Sequence, residues 1–377
     1  MRALLVSLLI HITLNPLLYF KGRSAFRNNR LVRTLWSAVF IAELSIFVLT
    51  LIFGKWMPND LAHIGRVLAT SWMLFVIYMA GLILLFDLSY LIIRKKLLTP
   101  LELKNQPQII SQPLMVAIVI FVSITMIHGK YKFEHPVVTP LTITINKNVP
   151  KYDSLRIAVV GDMHLGYTIN RDDARRMVDL VMAQDPDIIL MVGDIIDASI
   201  KPVLKEGMGE ELKRLHAPLG VYTCPGNHEY RNEADEKFAF LEESGITVLR
   251  DSVVLVDSMF YIVGREDIVF NYRTRLQKLI DSNVTDRSKP IFVLSHSPYS
   301  LDQEEESKAD LALYGHTHHG QAFPGNIATR TKFELAYGYK KKSDTHFYVT
   351  SGIGLAGPQH RICTVSEVAM ITVHFNQ

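Results

Sequence analysis

Five short segments of the 377-residue chain combine Asp, Asn and His in patterns that could bind metal ions. They read Gly161-Asp162-Met163-His164, Gly193-Asp194-Ile195-Ile196-Asp197, Gly226-Asn227-His228-Glu229, Ser295-His296-Ser297-Pro298 and Gly315-His316-Thr317-His318. Each segment follows a short apolar run of the kind that forms a buried strand. In open α/β sheets, ligands bind beyond the carboxyl ends of the strands. The five segments are therefore predicted to meet at one edge of a sheet.

These residue types indicate the kind of metal. Carboxylate, amide and imidazole groups without thiolates suit divalent first-row ions and argue against a structural zinc or iron–sulfur site. The seven candidate ligands are Asp162, His164, Asp194, Asn227, His296, His316 and His318. Seven ligands are too many for one tetrahedral ion but suit two ions that share a carboxylate, and Asp194 is the natural shared group. Two such ions, about 3.5–4 Å apart, promote in-line displacement at phosphorus. Mn, Fe and Zn all suit this set.

Strands and helices must position these residues. From Pro136 onward, short β-rich runs alternate with turns and amphipathic helices, then give way mostly to strands, which predicts a layered α/β domain with two sheets packed face to face. The predicted strands are Val137–Ile145, Leu155–Val160, Ile188–Val192, Val221–Cys224, Thr247–Leu249, Val253–Val256, Phe260–Val263, Ile291–Leu294, Leu311–Tyr314, Phe347–Thr350 and Val368–Phe375. The predicted helices are Arg171–Ala183, Val203–Leu215, Ala234–Glu243 and Tyr272–Ile280. Lys340–Lys342 is predicted to be a solvated loop and Glu304–Glu306 a solvated turn.

The first third of the chain differs sharply from the rest. Residues 1–128 carry a net charge of +8, and residues 129–377 carry −5. With 49% hydrophobic residues, a disordered, collagenous or coiled-coil chain is excluded, and two cysteines exclude a disulfide scaffold. Four apolar stretches fall before residue 130, which predicts an all-α transmembrane region of about four helices at 1–130 and a second domain at 131–377. They are Ala3–Phe20, Thr34–Phe53, Val67–Ile93 and Ile109–Ile127, and three spans are the main alternative.

Basic residues in the short connectors predict the orientation. The first connector carries Lys21 and four arginines, and the third carries four basic residues including Lys104. The second has only Lys55 and Arg66. Excess Lys and Arg marks the cytoplasmic side. Four spans then place the second domain on the extracytoplasmic side, whereas three spans would reverse it.

Two acidic residues, Glu43 and Asp87, fall inside the predicted spans. A charge buried in a membrane is costly and indicates function by default. Asp87 lies near a span end and is expected to reach the interface, while for Glu43 a functional and a structural role stay equally open.

The five motifs, in this order, resemble the calcineurin-like metallophosphoesterase superfamily, and most closely its membrane-anchored bacterial-type branch. The resemblance covers about residues 135–377 and implies a four-layer α/β/β/α sandwich. It implies that Asp162, His164, Asp194 and His318 hold one ion, and that Asp194, Asn227, His296 and His316 hold the other. His228 would then be the acid that protonates the leaving oxygen, oriented by Asp197.

Three positions bear on the pocket around this site. Protein phosphatases of the superfamily have arginine at the position of Ala198, and alanine cannot clamp a phosphate, which weakens that assignment. His319 stands where the branch usually has glycine and is expected at the pocket edge. Arg361 is expected to bind either a substrate phosphate or an acidic neighbour, and Asp267 to cap a loop.

The sequence thus predicts a membrane-anchored, dinuclear-metal phosphoesterase that cleaves a phosphate ester or pyrophosphate by metal-bridged hydroxide attack. Anchoring favours a lipid-linked substrate, and the resemblance adds a UDP-2,3-diacylglucosamine-type pyrophosphate hydrolase of lipid A synthesis as an alternative. A metal-binding sensor or accessory module of a membrane unit, without catalysis, is the alternative of another class. No basic stripe with interleaved aromatic residues occurs in residues 150–377, so nucleic acid is not the expected substrate.

Overall fold

The structure, a computed structural model, describes residues 2–54, 56–97, 110–270 and 272–376. The chain forms two compact units. One comprises Met1–Gly129 with Gly357–Gln359, and the other comprises Lys130–Ala356 with His360–Gln377.

Four helices occupy the N-terminal part of the described chain: α1 (Arg2–Ala25), α2 (Arg30–Phe53), α3 (Asn59–Leu97) and α4 (Gln112–Glu134). Among the described residues, three segments are long and apolar enough to cross a membrane: Arg30–Phe53, Asn59–Ile92 and Gln112–Glu134. Helix α1, which contains Pro16, is not one of them. Of the residues used in the predictions for this region, Lys55, Lys104 and Ile109 lie outside the described residues.

Polar side chains of the first helices pair with one another. Glu43 on α2 is buried, and its carboxylate lies 3.0 Å from His11 Nε2 and accepts a hydrogen bond from Asn15 Nδ2 at 3.3 Å. Trp72 Nε1 on α3 donates to Asn15 Oδ1 at 3.1 Å. Asp87 on α3 pairs with Lys21 at the end of the apolar part of α1. The residues that interrupt the hydrophobicity of α1 are thus partners of its neighbours.

After the N-terminal helices, the strands form two mixed six-stranded sheets. Their orders are β1-β12-β2-β3-β4-β5 and β10-β11-β9-β8-β7-β6. The first contains β1 (Val137–Ile145), β2 (Ser154–Val160), β3 (Ile188–Met191), β4 (Val221–Thr223), β5 (Thr247–Val248) and β12 (Glu367–Phe375). The second contains β6 (Ser252–Val256), β7 (Phe260–Gly264), β8 (Ile291–Leu294), β9 (Leu311–Tyr314), β10 (Gly338–Lys342) and β11 (Thr345–Val349). Strands β2 to β5 run parallel, as do β7, β8 and β9.

Helices flank both sheets. They are α5 (Arg171–Met182), α6 (Lys201–Lys205), α7 (Gly209–Leu212), α8 (Ala234–Glu243), α9 (Leu276–Asn283), α10 (Asp302–Glu306) and α11 (Gly325–Lys332), with a 3-10 turn at His318–Gly320. One buried apolar cluster contains residues of both sheets, such as Leu190 and Phe292, so the sheets pack face to face. Ala174 and Val178 of α5 pack in a second cluster, and Leu276 and Ile280 of α9 in a third.

Several predicted elements differ in the structure. The helix predicted over Val203–Leu215 is split into α6 and α7, because Gly207 between them takes a left-handed φ of 63°. The helix predicted from Tyr272 begins at Leu276. Lys340–Lys342 is not a loop but part of β10, an edge strand on which exposed lysines are favourable. Glu304 is not solvated: it lies in α10 and is buried.

Candidate metal centre

The polar segments all begin where strands β2, β3, β4, β8 and β9 end. Asp162, His164 and His318 bring three potential ligand atoms within 4.8 Å of one another, and so do Asp194, His296 and His316. In the first group, His164 Nε2 lies 3.0 Å from His318 Nε2. In the second, His316 Nδ1 lies 3.3 Å from His296 Nε2. Close approach of nitrogen atoms in this way is typical of residues that surround a common cation.

Asp194 connects the two groups. Its Oδ2 lies 3.1 Å from His296 Nε2 and 3.7 Å from His164 Nε2. Its Oδ1 accepts a hydrogen bond from the backbone N–H of His228 at 2.7 Å. A carboxylate placed between two imidazole groups in this way can serve two cations at once.

Asn227 lies next to Gly226, which packs against Asp194, and its side chain is a further candidate ligand. Its Oδ1 is buried and has no hydrogen-bond partner among the described residues, which fits an oxygen ligand to a metal. Gly226 brings this loop against Asp194, because a Cβ at position 226 would overlap the Asp194 carboxylate. The chemistry of the donor set therefore fits two divalent cations.

Backbone strain accompanies this geometry. Five of the candidate ligands have φ in the left-handed region, which non-glycine residues rarely adopt: Asp162, His164, Asp194, His316 and His318, with φ between 49° and 67°. Strain of this kind persists where the surrounding structure holds a functional group in place.

The carboxylates of the centre favour their ionised form. Burial is the largest influence on Asp194 and opposes its charge, but the charge and hydrogen bond of His296, together with the charges of His164 and His228, hold the pKa of Asp194 well below its usual range. Burial likewise opposes the charge on Asp197, yet the imidazole of His164, with Nδ1 3.7 Å away, and the hydrogen-bonded imidazole of His228 keep the pKa of Asp197 below its usual range. Ionised carboxylates are the form that binds a metal or supports a charged imidazole.

His228 faces the cluster on one side and Asp197 on the other. Its Nδ1 lies 2.5 Å from Asp197 Oδ1, while its Nε2 lies 3.9 Å from Asp194 Oδ2. With Nδ1 occupied, Nε2 is the nitrogen available to a substrate beside the metal ligands. The pair can therefore supply or accept a proton there.

The chain is similar to known metallophosphoesterases. Residues 155–320 match the family described as calcineurin-like phosphoesterase. An "uncharacterized metallophosphoesterase" of Helicobacter pylori is 32% identical over 221 residues, which cover 58% of this chain and 59% of the relative. The chain carries a calcineurin-like metallophosphoesterase domain.

Two further relatives are similar to more than half of this chain. The "transmembrane protein with metallophosphoesterase domain" of Danio rerio is 28% identical over 256 residues, 64% of this chain and 58% of the relative. The "UDP-2,3-diacylglucosamine pyrophosphatase LpxG" of Chlamydia trachomatis is 22% identical over 291 residues, 60% of this chain and 87% of the relative. The chain thus spans less than two thirds of the length of the Helicobacter and Danio proteins.

Two residues that the sequence did not single out organise the loops of the metallophosphoesterase domain. Buried Glu229 accepts hydrogen bonds from the backbone N–H groups of Gly226, Asp194, Ile195 and Ile196, at 2.8 to 3.0 Å. Buried Lys237 donates from Nζ to the carbonyl oxygens of Asp197 at 2.9 Å and His228 at 2.7 Å. The loops after β3 and β4 are therefore tied together on both sides of the His228–Asp197 pair.

Arg361 forms hydrogen bonds mainly with backbone carbonyl groups, while the charges of Asp162 and Glu367 act on it from nearby. It is fully buried and donates to the carbonyl oxygens of His318 at 2.8 Å, Ser351 at 2.7 Å and Gly352 at 2.9 Å. A guanidinium engaged by backbone carbonyls fixes the turn after β9 and has no direct access to a substrate.

His319 and Asp267, the other two residues named near the pocket, both have partners in the structure. His319 is not in the metal clusters; it stacks on Tyr337 with ring centroids 4.3 Å apart, and its Nε2 lies 3.4 Å from Arg330. Asp267 caps its loop, because it accepts hydrogen bonds from the Val269 backbone and the Ser297 hydroxyl at 3.0 Å.

A cleft of about 630 Å³ lies at the other end of the strands, near Ile145, Ile291 and Thr345. Its lining mixes charges of both signs, and Lys147 is already paired with Asp310 at 2.7 Å. It therefore presents no clear charge complementarity to a phosphate ester.

Proposed function

We propose that the metallophosphoesterase domain holds two divalent ions and hydrolyses a phosphate ester or pyrophosphate. Asp162, His164, Asp194 and His318 would hold one ion, and Asp194, Asn227, His296 and His316 the other. The observation that carries this proposal is the position of Asp194 Oδ2 between His164 and His296. The domain would be the four-layer α/β/β/α sandwich of the family, occupying residues 131–377.

The residues of the chain divide the chemistry among them. When bound, two divalent ions supply Lewis-acid polarisation of the phosphoryl group and an activated water. His228 delivers a proton from Nε2 to the departing oxygen. Asp197 holds His228 through Nδ1, 2.5 Å from its Oδ1, and so fixes the orientation of the imidazole with Nε2 toward the substrate.

The experiment that tests this function uses the full-length protein in detergent micelles, loaded with manganese. Hydrolysis of chromogenic phosphate monoesters and diesters is measured for the wild type, for Asp194→Asn and for Asp172→Asn, an exposed carboxylate on α5 that serves as control. We expect turnover by the wild type and the control and its loss in Asp194→Asn. Two bound ions without turnover would instead support the non-catalytic sensor or accessory module.

We propose that α1 also crosses the membrane, which gives four spans and places the catalytic domain on the extracytoplasmic side. The support is the pairing of the polar residues of α1: His11 and Asn15 with Glu43, and Lys21 with Asp87. A helix whose polar groups are satisfied by neighbouring helices can span a bilayer despite them. The basic first connector then lies in the cytoplasm.

A native cysteine provides the test of sidedness. Cys363 is exposed and Cys224 is buried. A membrane-impermeant maleimide should label Cys363 in right-side-out spheroplasts and not in sealed inverted vesicles, with Cys363→Ser as the unlabelled control. Labelling in inverted vesicles only would place the domain in the cytoplasm, and it would mean that α1 does not cross the membrane.

For the substrate, a lipid-linked phosphate ester or pyrophosphate is the class we propose. The membrane helices support a substrate at the bilayer surface. The name of the Chlamydia relative, of which 87% is covered, supports the more specific candidate, an acylated UDP-glucosamine pyrophosphate. That substrate is cytoplasmic, so this candidate requires the three-span topology, which places the domain inside. Incubating the purified protein with that pyrophosphate and with a phospholipid diester, and comparing product release, separates the two.

A further inference from the structure

Two aromatic side chains, Tyr299 and Phe333, pack beside the candidate ligand His316 and are called the aromatic wall below. The ring centroid of Tyr299 lies 5.8 Å from that of the candidate ligand His316, and that of Phe333 lies 6.1 Å from it. Tyr299 and Phe333 also contact each other, at 5.2 Å. Phe333 is buried, whereas Tyr299 is 45% exposed, so a ligand can reach the Tyr299 side of the aromatic wall.

Lys332 lies across this wall. Its Nζ is 4.8 Å from the Tyr299 ring centroid and 5.0 Å from that of Phe333, and it donates to the Tyr299 hydroxyl at 3.1 Å. Two cation–π contacts and a hydrogen bond restrict an otherwise flexible side chain. The ammonium group thus contacts the same two rings, Tyr299 and Phe333, that pack against the candidate metal ligand His316.

The charge of Lys332 is not neutralised by the protein. Within the part of the chain that the structure describes, no carboxylate lies within ion-pair distance of Lys332, whereas two nearby lysines are paired. Lys340 pairs with Glu334 at 2.8 Å, and Lys342 pairs with Asp302 at 2.6 Å. A restrained and uncompensated ammonium beside a phosphoester site is suited to an anion, because Lys offers a compact point charge to phosphate oxygens.

We propose that Lys332 binds a second phosphoryl group, adjacent to the one that is cleaved, and so makes the centre selective for pyrophosphate-type substrates. This inference rests on the proposed hydrolase function. If the reacting phosphoryl group lies between the two metal groups, a neighbouring phosphoryl group that extends past His316 along Tyr299 and Phe333 would approach the Lys332 ammonium. A simple diester has no second anion to place there.

The test compares two inhibitors that are not cleaved. Methylenediphosphonate carries two linked phosphoryl groups and methylphosphonate carries one. Their inhibition constants are measured against hydrolysis of bis(p-nitrophenyl) phosphate by the manganese-loaded full-length protein, with manganese in excess over the diphosphonate. We expect Lys332→Gln to raise the ratio of the diphosphonate constant to the monophosphonate constant about tenfold. Lys332→Arg should keep most of the preference, and Lys340→Gln should leave the ratio at its wild-type value.

An unchanged ratio in Lys332→Gln would overturn the proposal, and so would an equal change for both inhibitors. If the wild type hydrolyses neither the diester nor a pyrophosphate ester, the hydrolase function fails first. Calorimetric titration of both phosphonates into the metal-loaded protein then still reports whether Lys332 reads the second phosphoryl group.

Discussion

His228 Nδ1 lies 2.5 Å from Asp197 Oδ1, and the buried Lys237 ammonium binds the backbone of both residues. Lys237 donates to the carbonyl oxygens of both residues, so the pair is fixed through its main chain as well as its side chains. As the proposed proton donor, His228 would lose little orientation when a substrate binds, which would favour efficient proton transfer.

Replacing His228 should remove the proton donor without removing the metals. We expect His228→Asn to lower kcat for a substrate with a poor leaving group about 10²–10⁴-fold, and Asp197→Asn to lower it less. His216→Asn is the control, since His216 is exposed and bonds only a backbone carbonyl. Metal analysis should find the same content in all three variants. Loss of metal from His228→Asn would assign that residue to the ligands instead.

Glu229 should support the metal ligands through the backbone. Glu229→Gln places an amide NH₂ among four N–H donors, so part of the loop around Asp194 loses its acceptor. We expect a metal affinity about 10–100-fold weaker, measured by competition with a fluorescent chelator. Glu236→Gln, at an exposed position of α8, serves as control. Unchanged affinity in Glu229→Gln would show that the loop keeps its shape without these bonds.

Stability should depend on pH through Glu211. Burial opposes its charge, but hydrogen bonds from Arg214, Arg175 and Arg171 lower the pKa of Glu211 to about 2. The stabilisation is therefore full above the ordinary pKa of 4.5 and is lost as the pH falls toward 2.

The matching experiment is calorimetric melting of the full-length protein in detergent. Glu211→Gln should lose about 1 kcal/mol at pH 7, which lowers Tm by about 2–4 °C, because its arginine partners are partly exposed. The difference from wild type should shrink below pH 4.5. Glu242→Gln, an exposed residue at the end of α8, should melt like wild type at every pH. A difference that stays constant down to pH 2 would contradict the assignment.

The polar contacts of the membrane helices should be structural. Glu43→Leu leaves His11 and Asn15 without their shared acceptor, so we expect a lower Tm in detergent. Hydrolysis of a soluble diester per folded chain should stay at the wild-type rate in Glu43→Leu and in Asp87→Asn. A loss of turnover with the fold intact would favour an accessory membrane unit that controls the domain.

The sequence singled out residues that the structure brings together, because these candidate ligands are chemically distinctive and directly follow strands. Asp162, Asp194 and His316 each come after a glycine at a strand end, and parallel strands bring such ends together. Arg361 and Lys237 could not be assigned in this way, since their partners are backbone carbonyls from several segments. Any buried cation in the sequence looks equally suited to a substrate or an acidic neighbour.

Among the elements, buried strands such as β8 and β9 were predicted with their correct ends because apolar runs bounded by polar motifs are unambiguous. Helix boundaries depend more on the backbone conformation of single residues. Gly207 breaks the one predicted over Val203–Leu215, although the apolar spacing continues through it. Likewise, β10 carries three lysines whose pattern alone indicates a loop, and only its pairing with β11 makes it a strand.

The most direct test of the account is the metal content of the purified full-length protein after reconstitution with manganese and removal of free ions. Elemental analysis should find two ions per wild-type chain, two in Asp172→Asn, and fewer than two in Asp194→Asn, because Asp194 is proposed to serve both ions. One ion per wild-type chain, or two retained tightly in Asp194→Asn, would contradict a dinuclear centre bridged by this carboxylate.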